Sequence, residues 1–224
     1  ESQASDPQTA LEWHLRVLLE APGDEQSLVE AERLASGLGQ WEQLTDVLVR
    51  AADVETDSVK RIGLASRVAS IYEEQLLDPA RAAETYLFVL TLAPDDEDAL
   101  RALERIFEEN GAAQGLQEIL AARARHCDDP RDKVDLLYRR AQVLSVDLGR
   151  TDDAIGVYRE LLDKHDREHE DSIRSLMSLY AERGDYQALR QAFEYELGVA
   201  SSDHDRAAVL TKMARVSQQY LGDD

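Results

Sequence analysis

Along most of the chain, apolar residues return at intervals of three and four with polar residues between them, the spacing that lines one side of an α-helix. Leu100, Leu103, Ile106 and Phe107 form one such stripe, and Ile173, Leu176, Leu179 and Tyr180 form another. Leu116, Ile119 and Leu120 repeat the spacing of Leu44, Val47 and Leu48. In the middle of the chain the pattern predicts helices over about 79–93, 96–110, 113–126 and 130–148. The connections between them are about two to five residues long, which makes neighbouring helices antiparallel.

The middle stretch recurs. Moved back by 72 residues, Asp78-Pro79 falls on Asp6-Pro7, Pro94 on Pro22 and Gly111 on Gly39. Moved forward by 72 and then 73, Ala82, Tyr86 and Leu90 fall on Ala154, Tyr158 and Leu162, and Leu148-Gly149 falls on Leu221-Gly222. Three copies, 6–77, 78–149 and 150–222, are therefore expected, with about twelve helices. A lone helix hairpin cannot bury both its faces, but hairpins stacked side by side can. The expected fold class is all-α, a solenoid of stacked helix pairs running through 1–224 as one domain.

The ends of the predicted helices carry chemical marks. Asp57, Asp129 and Ser202 align, and each side chain can accept from the free N–H groups of the helix that follows. Pro130 then stands at the first helical position, where its missing N–H costs nothing. Asp78-Pro79 and Asp6-Pro7 repeat the arrangement, and in the third copy Thr151 is the expected cap. Gly39, Gly111 and Gly184 suit the left-handed turn that ends a helix. The acidic run Asp95-Asp96-Glu97-Asp98 falls at a helix start, where the helix dipole favours negative charge.

With these residues in place, the chain resembles the tetratricopeptide repeat (TPR) family. Ala82, Tyr86 and Pro94 match its small, aromatic and closing-proline positions, and Ala154 and Tyr158 repeat the first two. Leu103, Phe107, Gly111 and Leu120 match the alternate motif, and Leu176, Tyr180, Gly184 and Phe193 match it again. Asp166 replaces the proline, Leu44, Leu116 and Leu189 stand where the family usually has alanine, and the helix at 59–76 is about one residue longer than the family's. Five complete motifs fall near 25–56, 58–94, 95–128, 130–166 and 168–201.

The resemblance implies a right-handed α-solenoid that acts as a non-catalytic protein-interaction scaffold, with a peptide or helix docked in a concave groove lined by the first helix of each motif. Mapped onto this chain, the groove residues are Arg33, Arg101, Arg105, Glu108, Tyr138, Gln142 and Arg174; Glu73 is a further outward-pointing candidate. Family members that grip a C-terminal carboxylate do so with several Lys and Asn, whereas here Asn110 is the one asparagine and lysines are few. The alternative role is a structural spacer or assembly element whose contacts lie at solenoid ends or edges.

Charge narrows the partner. The net charge is −21, and a field of that sign repels phosphate backbones, which argues against nucleic acid and favours a basic protein or peptide. Apolar residues make up 43% of the chain, yet no window reaches the roughly 18 uninterrupted apolar residues of a membrane span. No basic-then-apolar signal opens the sequence, so membrane insertion is not expected and the cytoplasm is the expected compartment. The missing initiating Met and an end that falls within a repeat suggest a piece of a longer protein. Val209, Leu210, Met213, Val216 and Tyr220 leave the last helix with an apolar face, from which end-to-end self-association is expected.

Candidate chemistry is thin. His165 and His169 share a helical spacing among Asp166, Glu168, Glu170 and Asp171. They lie at a turn with Arg167 between them, and the equivalent 93–98 stretch has no histidine, which weighs against a ligand set. His14, His126 and His204 stand at non-equivalent places, and His14 aligns with Tyr86 and Tyr158 in a packing role. Cys127 is the one cysteine, so no internal disulfide can form. Without a phosphate-binding loop or a nucleophile–base pair, no catalytic residue, metal site or cofactor is expected.

Overall fold

The computed structural model describes residues 6–222. Among them are twelve α-helices and no strand. They fall into two compact units, one ending at Asn110 and the other starting at Gly111.

The first unit holds α1 (Pro7–Glu20), α2 (Glu25–Leu38), α3 (Trp41–Val54), α4 (Ser58–Glu74), α5 (Pro79–Leu92) and α6 (Glu97–Glu109). Each helix packs on the next, and α1 also packs on α3. The odd-numbered helices form one layer, tied by Arg81 of α5 to Glu42 of α3 at 2.7 Å. The even-numbered helices form the other, tied by Arg67 of α4 to Glu32 of α2. The core lies between the layers, where Leu11, Leu18, Leu44, Leu48, Leu100 and Leu103 are fully buried. Burying a leucine completely stabilises a fold by roughly 1.5–3 kcal/mol.

The second unit holds α7 (Ala113–His126), α8 (Pro130–Gln142), α9 (Thr151–Lys164), α10 (Glu170–Arg183), α11 (Tyr186–Val199) and α12 (Asp203–Val216). Its core is built the same way from Leu120, Leu144, Tyr158, Leu161, Leu162 and Leu176. The starts of α5 to α8, at Pro79, Glu97, Ala113 and Pro130, each lie 72 residues beyond those of α1 to α4, at Pro7, Glu25, Trp41 and Ser58.

Most helix ends follow the sequence marks. Asp57 accepts from the backbone N–H of Val59 at 2.9 Å, Asp129 from Arg131 at 2.8 Å, Ser202 from Asp205 at 3.1 Å and Asp96 from Ala99 at 2.9 Å. Gly39 and Gly184 end α2 and α10 with φ of 68°. Two expected caps differ. Asp6 makes no side-chain cap bond. Thr151 is already the first residue of α9, behind Arg150 as N-cap, and Arg150 turns its guanidinium onto Asp153 at 2.7 Å.

The extra helical residue noted in the sequence is absorbed in a wider turn. After α8 the backbone forms a π-turn over Val143–Asp147, and after α12 another over Ser217–Leu221. After α4 the same five-residue step joins the Leu76 N–H to the Ile71 carbonyl at 3.0 Å. Each is followed by a left-handed residue, Gly149 at φ 61° after α8, Gly222 at 69° after α12 and Leu77 at 52° after α4.

Candidate partner-binding site

The residues read as groove candidates all lie on even-numbered helices. In the first unit Arg33 is exposed on α2 and pairs with Glu30 of its own helix at 2.8 Å. Arg101 of α6 is exposed and pairs with Glu97 at 3.0 Å. Glu108 is exposed near the end of α6. Arg105 behaves differently, because its guanidinium reaches across to Glu73 of α4. Glu73, expected to point outward, is largely covered, with a side chain 12% exposed, and also accepts from the Tyr86 hydroxyl at 3.2 Å. Burial and the Glu73 charge raise the Tyr86 phenol well above its ordinary pKa. Arg105 is thus part of a cross-helix tie, whereas among the described residues Arg33 and Arg101 pair with neighbours on their own helix.

In the second unit Tyr138 of α8 is half-buried. Its ring meets Tyr158 at 6.0 Å and His169 at 5.1 Å, and its hydroxyl accepts from the exposed Gln142 amide at 3.1 Å. His169 caps α10, its Nδ1 accepting from the Ser172 N–H at 3.2 Å. One histidine of the suspected ligand pair therefore has a structural use. Among the described residues no group of three or more His, Cys, Asp or Glu is placed to hold a metal ion. His14 is half-buried with Nδ1 3.2 Å from the Ser27 hydroxyl, a packing position.

Arg174 opens on a cleft of about 470 Å³ in the second unit between α10 and α12, closed at one end by the C-terminus of α11. Ile173, Met177, Val199 and Val209 supply its apolar lining. Glu170, Glu196 and Asp205 place carboxylates along it. The two cations are already engaged, Lys212 with Glu196 at 2.7 Å and Arg174 with Asp171 at 3.0 Å. Hydrogen bonds from Ser202 and Ser201 hold the Asp205 carboxyl below its usual pKa, so it stays charged. Such a cleft can bury an apolar side chain while its rim favours a cation. Met177 lies three residues from Arg174 and is found by helical spacing, but Lys212 and Glu196 carry no motif.

No family model and no curated protein matches the chain. Among solved structures, a chain of Naa15/Naa10 bound to HypK-THB matches with a TM-score of 0.59 at 17% identity, over 94% of this chain and 32% of its own. This chain thus spans about a third of that neighbour's length. Weaker matches include BtubC (BKLC) from P. vanneervenii, with a TM-score of 0.40 at 13% identity over 97% of this chain and 91% of the other. Pseudomonas aeruginosa pilF has a TM-score of 0.39 at 12% identity, over 97% and 95%. The fold of this chain is that of a tetratricopeptide-like helical repeat.

Proposed function

We propose that the chain is a non-catalytic protein-interaction scaffold that takes a peptide or helix of a partner on its even-numbered helices. The α10–α12 cleft carries this reading, since it joins an apolar lining to acid-rich walls on the helix where Arg174 was singled out. The net charge of −21 favours a basic partner over nucleic acid. Among the described residues no helix is long and apolar enough to cross a membrane. The reading is tested by affinity capture with the wild-type chain and a Glu170→Lys variant, which reverses a charge on the acid-rich wall of the cleft. Glu170 is exposed and, among the described residues, forms no hydrogen bond or ion pair, so the variant keeps the fold. Loss of specific partners supports the reading, and retention of the same partners defeats it.

A second reading is a spacer or assembly element joined through the last helix. Leu210 is 52% exposed on α12. With Met213 and Ala214 it borders a shallow hollow against Arg190, Gln191 and Glu194 of α11. Light scattering that shows concentration-dependent association, abolished by Leu210→Glu, supports this role, and a strict monomer at high concentration removes it.

A further inference from the structure

On its other layer, the first unit carries an open slot of about 370 Å³ between α3, α4 and α5. Whereas α1 packs directly on α3, α3 and α5 meet chiefly through α4, and the slot lies in the gap between them. Buried Ala52, Ala65, Val68 and Tyr72 line it, with half-buried Phe88 and exposed Val49 along its sides. That volume is at the small end of ligand-sized clefts, roughly 300–1,000 Å³.

The charges around it are unevenly committed. Arg81 is held by Glu42 at 2.7 Å and Asp78 at 2.7 Å, and lies 4.5 Å from the centre of the Tyr72 ring. Arg61 lies over Phe88 at 5.3 Å. Asp53 of α3 and Glu84 of α5 stand exposed at the slot. Among the described residues neither forms a hydrogen bond or an ion pair. Of the three charged residues that line the slot, Arg81 is paired with acids and Asp53 and Glu84 are not; Arg61 beside it stacks on Phe88 without an ion pair among the described residues.

The geometry points to this slot as a binding site for a lysine side chain projecting from a basic segment of a partner protein. The methylene stem lies on the apolar floor while the ammonium meets Asp53 and Glu84, the division between stem and head that long cationic side chains favour. Lysine fits better than arginine for a physical reason. Arginine draws much of its advantage from stacking on aromatic faces, and here Arg81 and Arg61 already cover Tyr72 and Phe88. A compact ammonium needs only the carboxylates. The site lies on α3 to α5, so its failure leaves the reading of the even-numbered helices standing.

The test is amide chemical-shift mapping of the whole chain with three peptides of equal length, alternating leucine with lysine, arginine or glutamate. The leucine–lysine peptide is expected to move the resonances of Val49, Asp53, Val68 and Thr85. It should bind more tightly than the arginine peptide, and acetylating its lysines should abolish binding. An Asp53→Asn, Glu84→Gln variant, both positions being exposed, should keep the helical circular dichroism and bind roughly fivefold or more weakly, the scale of two solvent-exposed ion pairs. Shifts confined to other helices, equal binding of the arginine or glutamate peptide, or unchanged affinity of the variant would overturn the proposal.

Discussion

Arg105 of α6 closes on Glu73 of α4, so a residue that reads as a groove cation in the sequence is a structural tie between two helices. Glu73 is the more buried partner and also holds the Tyr86 hydroxyl. Glu73→Gln should therefore cost about 1–2 kcal/mol, because it weakens a hydrogen-bonded site that is largely shielded from water. Arg105→Gln should cost less, since its side chain is 52% exposed. Urea unfolding of both variants and their combination gives the coupling. Additive losses would show that the pair is not energetically linked.

Leu77 occupies the left-handed position that Gly149 and Gly222 hold at the equivalent points of the chain. The conformation is costly for any residue with a Cβ, and Leu77 recovers little by burial because it is 77% exposed. Leu77→Gly is expected to stabilise the first unit by about 0.5–1 kcal/mol, read as a higher Tm. The reciprocal change, Gly149→Leu, should destabilise the second unit. A lower Tm for Leu77→Gly would show that unfolded-chain entropy outweighs the strain.

Several helix starts depend on charged carboxylates. Backbone hydrogen bonds from Asp132 and Arg131 hold Asp129 below its usual pKa, the Arg81 backbone and side chain do the same for Asp78, and Ser27 does so for Asp24. Groups with depressed native pKa values bind fewer protons folded than unfolded. Their stabilisation is therefore complete above the unfolded value of about 3.9 and is lost as pH falls through the lower native value. Unfolding free energy should decline below about pH 4, and the decline should be shallower in Asp129→Asn than in the wild type.

The tyrosines predict the opposite edge. Burial, then a hydrogen bond to Asp163, pushes Tyr195 up to about 12, and burial also raises Tyr158. Here the folded chain keeps protons that the unfolded chain loses above about pH 10. Stability is therefore full below that value and falls as pH rises toward the native pKa values. Phenolate absorbance should appear together with the loss of helical circular dichroism. Phenolate forming early in a folded chain would show these rings to be freely accessible.

What the sequence disclosed follows from the range of the forces involved. The helices, Asp57, Asp129 and Gly184 were legible because they act within one turn and recur along the chain. Thr151 failed as a cap by a single residue, since Arg150 takes the position with its backbone alone. The tie from Arg105 to Glu73 was missed because spacing rules along one helix suggest Glu109 as its partner and say nothing of a residue on α4. Leu77 gives no local signal for a left-handed turn; only comparison with Gly149 and Gly222 exposes it. The α3–α5 slot depends on how far two helices stand apart, which no periodicity records.

The scaffold reading is tested most directly by hydrogen-exchange footprinting of the whole chain with a partner obtained by capture. The expected result is new protection of α10 and α12 around Met177 and Val209, with matching loss of affinity in Glu170→Lys. Protection confined to the odd-numbered helices or to the exposed face of α12 at Leu210, with Glu170→Lys binding unchanged, would contradict it.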